Sequence, residues 1–415
     1  MASKVTEAAR LREDIEIVPT LYRGEKAFLL RDNLGLIENP LLVQAEALVI
    51  LGLLDGQHSV EDIQMELVRR RGGGFISRDA IEGFLKDLDG HHVLDSARFH
   101  QARKRLIAEY GRLTVRTPFL AGQSYPGEKS DLAAHLDALL AAGSSLHPES
   151  EPDRICGLAA PHIEIENGKA VYARAYNSLR GLSPQRIILL GTGHSLGEAH
   201  FSITRKDFET PLGRVRTDAE AVAILQDAGG AAVADSDITH QREHSLEFQL
   251  IFLQHMFGSN FSLVPVLCGS FAGLMRDASR PMGVPGLAGF LGPLKGMVGQ
   301  WGSSVLCVAG IDFSHIGPKF GHREDARSLR VEAGMHDSAL IDAACRGDVE
   351  GLWRESRRVK DRYNVCGFSS LACLLEILSP VEGVSLGREI WHEEPTHSAV
   401  SFAAILFKRP REICS

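Results

Sequence analysis

Three apolar runs of strand length, GLAAPH, IILLGTGH and VAGIDFSH, each break off in a short polar turn at a histidine: His162, His194 and His315. A run of Ile, Leu, Val and Ala without polar alternation is a strand covered on both faces, and such strands belong to parallel sheets with helices above and below. Helical patterns through Tyr172 to Leu182, Asp218 to Ala228 and Glu243 to Met256 separate further runs, FSLVPVLCG among them. The fold class expected from about Arg154 onward is therefore α/β, a central sheet flanked by helices.

At 415 residues the chain is too long for one such domain alone. Residues 15–98 read as a smaller unit: extended segments IEIVPTLY and KAFLLRD, then three helices. The first covers the apolar run Leu41 to Leu54. The second follows Ser59 with Asp62 in the capping-box position, and the third follows Ser77. A hairpin with three short helices suggests a small α+β, winged-helix-like domain over 1–115. Residues 116–150 read as a connection carrying one alanine-rich helix, and 151–415 as the main domain. The GGG at Gly72 to Gly74 is a turn between helices.

Winged helices often contact DNA, but residues 1–100 hold 12 Lys/Arg against 17 Asp/Glu, the wrong sign for phosphate. With a net charge of −8 for the whole chain, nucleic acid is not an expected partner. Peptide or protein docking fits the small unit better. No membrane segment is expected, since Pro281 to Leu294, the uncharged stretch that could suggest a span, is short and rich in Gly and Pro. The amino terminus lacks an apolar secretory core, and seven scattered cysteines without a CxxC pair argue against a disulfide framework. A reducing, cytoplasmic setting follows.

Reactive groups in α/β sheets gather at the carboxyl ends of strands. One histidine there is usually structural, but three in that position point to a metal or general acid–base site. Asp312 stands three residues before His315, placed to orient a ring. GTGHSLG misses the dinucleotide spacing by one residue. In THQREHSLEFQ, His240 and His244 are four apart, yet H-E-x-x-H is absent; His244 with Glu247 can form a proton-transfer pair on one helix face. Cys268, Cys307 and Cys373 lie in apolar runs and read as core. Cys366, in DRYNVCGFSS just before a helix, is placed for a lowered thiol pKa and for ligation or nucleophilic attack.

The ordered motifs PH at His162, GTGH at His194, ETPLGRVRTD, EHSLEFQLIFLQ, LVPVLCG, DFSHIGPKFG, NVCG at Cys366 and VSFAA resemble the Memo family, also called AmmeMemoRadiSam system protein B, over about residues 154–408. The resemblance implies a fold like the class III extradiol (LigB-like) non-haem iron dioxygenases. It implies a redox-active metal, iron or copper, on His162, His194 and Cys366, with Asp312, His315 and His244 in the same pocket. It also implies companions: a radical-SAM enzyme and an AMMECR1-like protein. The amino-terminal part lies outside this likeness; its hydrophobic pattern and length look like small PqqD-type peptide-recognition domains. Many Memo proteins continue P-H-A-G-Y, whereas this chain has Ile163-Glu164-Ile165, which places the carboxylate of Glu164 beside the first ligand as a further catalytic candidate.

Two imidazoles and a thiolate leave coordination positions open and suit iron, copper or zinc. The first expectation is thus a metal-dependent oxidoreductase. A metal-binding or redox-sensing partner protein is the alternative, and a zinc hydrolase the third. Because extradiol enzymes use a carboxylate where this chain offers cysteine, catechol cleavage is not implied by the fold.

Overall fold

The computed structural model describes residues 8–37, 39, 41–70, 76–143, 151–276 and 278–411. Gly72 to Gly74, the Ser/Pro/Glu stretch 144–150 and Cys414 lie outside them. Two compact units emerge, Met1–Arg112 and Leu113–Ser415.

In the smaller unit β1 (Ile15–Tyr22), β2 (Glu25–Asp32) and β3 (Leu41–Gln44) form an antiparallel sheet in that order. α1 (Ala45–Leu51), α2 (Val60–Arg70), α3 (Arg78–Gly90) and α4 (Ala97–Gly111) follow. Ser59 and Asp62 form the expected reciprocal cap: the Ser59 amide donates to Asp62 Oδ2 (2.9 Å) and the Asp62 amide to Ser59 Oγ (3.2 Å). Ser77 caps α3 through the Ala80 amide. The run Leu41 to Leu54 is not one helix. Its first four residues pair with β2, Leu29 opposite Leu42, and the helix begins only at Ala45.

The larger unit opens with β4 (Val115–Arg116), α5 (Lys129–Ala142), β5 (Ile155–Ala160), α6 (Ile165–Asn177) and β6 (Arg186–Thr192). Next come β7 (Phe201–Ile203), the hairpin β8 (Asp207–Thr210) and β9 (Gly213–Thr217), α7 (Ala219–Gly229), α8 (His244–Phe257) and β10 (Ser262–Cys268). α9 (Pro285–Trp301), β11 (Val305–Gly310), β12 (His315–Ile316), α10 (Ala326–Cys345), α11 (Val349–Val359), α12 (Phe368–Leu378), β13 (Glu382–Glu393) and β14 (Ser398–Lys408) complete it.

These strands make one mixed sheet whose middle, β5-β11-β6-β10, is parallel, and β14 joins antiparallel beside β5. The period-two pleat divides each run between two cores. Ile187, Leu189, Leu306 and Val308 pack with α5, α6 and α8, while Ile188, Leu190, Val305 and Cys307 pack with α7, α9 and α12. The α/β, helix-flanked architecture expected from the sequence is thus present. Cys268, Cys307 and Cys373 are buried, as expected.

Two expectations change. α6 stops at Asn177, short of the expected Leu182: the Leu179 and Arg180 amides turn to the Tyr176 and Asn177 carbonyls, one residue nearer than in an α-helix, and the chain then reverses at Gly181 (φ +86°). Residues 116–142, expected as an inter-domain connection, instead supply β4, which pairs with β8, and α5, whose Leu132, Leu136 and Leu140 enter the core under α6.

Candidate metal centre

The parallel strands β5, β11 and β6 lie side by side, so the turns leaving their carboxyl ends share one end of the sheet. His162 leaves β5, His194 leaves β6, and the Asp312-to-His315 loop leaves β11 between them. α8 sends in His244 from its first residue, and the turn before α12 sends in Cys366. Two glycines let these pieces touch. A Cβ on Gly310 would lie 2.3 Å from the Ser245 carbonyl oxygen at the start of α8, and one on Gly367 would lie 2.7 Å from the Asp312 carbonyl oxygen. Backbone therefore approaches backbone where only hydrogen fits.

One nitrogen each from His162, His194 and His244 lies within 4.8 Å of the others. The rings of His194 and His244 stack at 4.9 Å, and both stand edge-on to His162, at 5.2 and 5.3 Å. Cys366 Sγ is 3.3 Å from His162 Nε2. Donors sharing one ion at about 2.0–2.3 Å sit roughly 3.3–3.6 Å apart, so this separation suits a common ligand set. His162 Nδ1, the ring nitrogen turned away from Cys366, is buried without a hydrogen-bond partner, a cost that an ordered water would relieve.

Glu243 holds the His194 ring and lies beside that of His244. It caps α8, accepting from the Ser245 amide at 2.9 Å, and its carboxylate lies 3.0 Å from His194 Nδ1 and 3.3 Å from His244 Nδ1. A carboxylate on the far nitrogen of a ligating histidine fixes tautomer and ring orientation, leaving Nε2 for the centre. Burial alone would raise the Glu243 carboxyl, but His194, His244 and the Ser245 amide outweigh it and hold it well below the usual range.

The remaining electrostatics separate the roles. Burial opposes charge on His162, yet Asp312 and Cys366 lift it to about 9. Burial likewise opposes charge on His194, whose imidazole Glu243 and Cys366 carry well above its ordinary value. For His244 burial wins: with His194 and His162 nearby it falls to about 3 despite Glu243, so the ring is neutral. The Cys366 thiol is pulled well below its usual value by His162 and His315 against the effect of burial. Burial lifts Asp312 to about 6. Its Oδ1 accepts the His162 amide (3.1 Å), and Oδ2 lies 3.7 Å from His162 Nε2. Asp312 therefore orients His162, not the nearer-in-sequence His315, which instead turns Nδ1 to the Phe313 carbonyl at 2.9 Å.

Two expected participants lie elsewhere. Glu164 is exposed and accepts a hydrogen bond from Ser124 Oγ (3.0 Å). Glu247 does not share the pocket with His244: it is buried against Arg116 and accepts from the Phe119 and Leu120 amides (2.9 and 2.8 Å) and from Tyr125 Oη. The residue the sequence reading passed over is Glu243. Its signal was the acidic cap position before an apolar helix, three residues after His240. His240 is buried beside Phe208.

A cleft of about 220 Å³ opens onto His194 and Cys366. A larger groove of about 700 Å³ runs between α10 and β13, but none of the clustered histidines nor Cys366 lines it. The donors, not the volume, locate the chemistry in the smaller one. Among the described residues no helix is long and apolar enough to cross a membrane.

Residues 116–406 match the family described as Memo-like protein. A MEMO1 family protein of Aquifex aeolicus is 28% identical over 389 residues, covering 92% of this chain and 96% of that protein. One from Thermus thermophilus is 27% identical, covering 84% and 98%, and one from Methanopyrus kandleri is 28% identical, covering 71% and 99%. With its larger unit matched almost end to end, the chain belongs to the Memo-like protein family.

Proposed function

We propose that this chain is a metal-dependent oxidoreductase whose ion, iron first, with copper or zinc as alternatives, is held by His162, His194 and Cys366. The observation that carries the reading is the convergence of Cys366, 3.3 Å from His162 Nε2, with three imidazoles. Two imidazoles and a thiolate fit a soft-to-borderline divalent ion and leave positions open. When bound, iron or copper would supply Lewis acidity and one-electron chemistry, and zinc Lewis acidity alone.

The chain's own residues would do the rest. Glu243 holds His194 by its Nδ1 atom and places its charge beside His244. Asp312 fixes the His162 main chain and places its carboxylate beside the ring. His244, kept neutral, can accept a hydrogen bond at the centre, while His315, which against the effect of burial is held above its ordinary value by Cys366 and Asp312, is the stronger base for holding or moving a proton. The smaller unit, with Leu21 and Tyr22 exposed at the end of β1, would serve as a docking element for a peptide or a radical-SAM partner.

The test is elemental analysis of protein purified without oxygen. We expect near one iron or copper per chain in wild type and under a tenth of that in Cys366→Ala and His162→Ala. Full metal content in either variant removes this ligand set.

A further inference from the structure

The cleft beside the cluster has an uneven charge lining. Its metal side carries His194 and Cys366, and an apolar wall is made by Phe271 and Met275. Among the described residues that line it there is no lysine or arginine, and Asp361 is the only carboxylate. At about 220 Å³ it lies below the roughly 300–1,000 Å³ of drug-sized ligand sites. Away from the centre, then, the lining offers an anion no positive side chain and offers a cation one carboxylate.

Asp361 is displayed by an unusual piece of backbone. Lys360, Asp361 and Asn364 all have positive φ (53°, 55° and 48°), a conformation that residues with a Cβ adopt at a cost. The loop is pinned by Asn364, whose Nδ2 donates to the carbonyls of His315 (3.3 Å) and Phe320 (3.1 Å). One Asp361 oxygen accepts the Val365 amide at 3.3 Å, which leaves acceptor capacity on the carboxylate. Burial raises the Asp361 carboxyl, so a cationic neighbour would stabilise its charged form.

Resting on the reading of this cluster as the active centre, we infer that the cleft takes a small amine-bearing molecule, its ammonium held by Asp361 and its reacting end at His194 and Cys366. Asp361 is then the specificity residue, and Asn364 positions it.

The test uses full-length, metal-free protein and the rate at which iodoacetamide alkylates Cys366, followed by mass spectrometry of its peptide. Benzylamine and benzoate, matched in size and opposite in charge, are the probes. Benzylamine should slow Cys366 alkylation severalfold and benzoate should not. Asp361→Asn should raise the benzylamine concentration for half-protection at least about tenfold. Equal protection by benzoate, no protection by benzylamine, or protection of Asp361→Asn at the wild-type concentration overturns the inference. Should Asp361→Asn not fold, the contrast between the two probes on wild type decides alone. Failure of the metal reading is seen separately, as metal content indifferent to Cys366, because no metal takes part in this assay.

Discussion

Arg116 is the first residue of the matched region, and its replacement by Met tests how the centre is braced. The side chain is buried and makes an ion pair with Glu247, which is itself buried. Its Nε donates to the His240 carbonyl and Nη2 to the Glu243 carbonyl, both at 3.0 Å. Met keeps the apolar stem but removes the counter-charge and these donors. Breaking a buried pair from one side costs about 3–5 kcal/mol. Glu247 retains the Phe119 and Leu120 amides and Tyr125 Oη, which places the expected loss near about 3 kcal/mol.

All three tryptophans, Trp301, Trp353 and Trp391, lie in the larger unit, so their fluorescence in a urea titration reports its unfolding without the smaller one. The midpoint should fall with the slope unchanged. Adding Glu247→Gln removes the stranded charge and should recover about 1–2 kcal/mol, a coupling measured by the double-mutant cycle. A loss below about 1 kcal/mol, with no coupling beyond about 0.5 kcal/mol, would refute the reasoning, since the pair would then behave as a hydrated one.

Glu243→Gln should weaken metal binding about 10–100-fold in chelator competition, because the carboxylate that orients the His194 ring is gone; unchanged affinity would deny it that role. Gly310→Ala drives a methyl into the Ser245 carbonyl and should cost about 1–3 kcal/mol and lower metal content together; a variant as stable and as fully metallated as wild type would contradict the contact. Burial lowers His240 to about 4 in the folded protein, from an ordinary 6.5. The folded state resists the proton that the unfolded chain accepts, so the contribution is whole above pH 6.5 and falls away toward pH 4, by up to about 3 kcal/mol. His240→Leu should flatten that part of the stability profile, and an identical profile would rule out the assignment. A chain begun at Leu113 should bind metal as the full chain does; loss of metal in a folded truncation would contradict the division into units.

The sheet was legible because its strands are apolar runs closed by histidines, and periodicity together with turn residues locates such runs well. Leu41 to Leu54 was not, since a continuous apolar stretch carries neither the period of a strand nor that of a helix. Only the pairing of Leu42 with Leu29 shows where one becomes the other. His162, His194, His315 and Asp312 could be read at strand ends, whereas the division of labour on α8 could not. Glu243 and Glu247 flank His244 within one turn, and which of them meets the rings depends on how the helix is rolled. That roll is set by Gly310 beneath it and by Arg116, residues distant in sequence and chemically silent when read alone. Arg116 and Tyr125 were hidden for the same reason, in a stretch whose proline and glycine content resembles a linker.

The placement of β14 beside β5 has a consequence in time. During synthesis β5, β6 and β11 leave the ribosome with the edge of β5 still uncovered, and 204 residues separate His162 from Cys366. At 5–20 residues per second that interval is about 10–40 s, during which the emerging chain presents imidazoles without its thiolate. Nitrogen donors alone rank ions by general affinity, so an early-bound ion would be the abundant strong binder. On the proposed ligand set the preference contributed by sulfur arrives only with Cys366, so the ion that the finished centre would keep is decided at the end of translation.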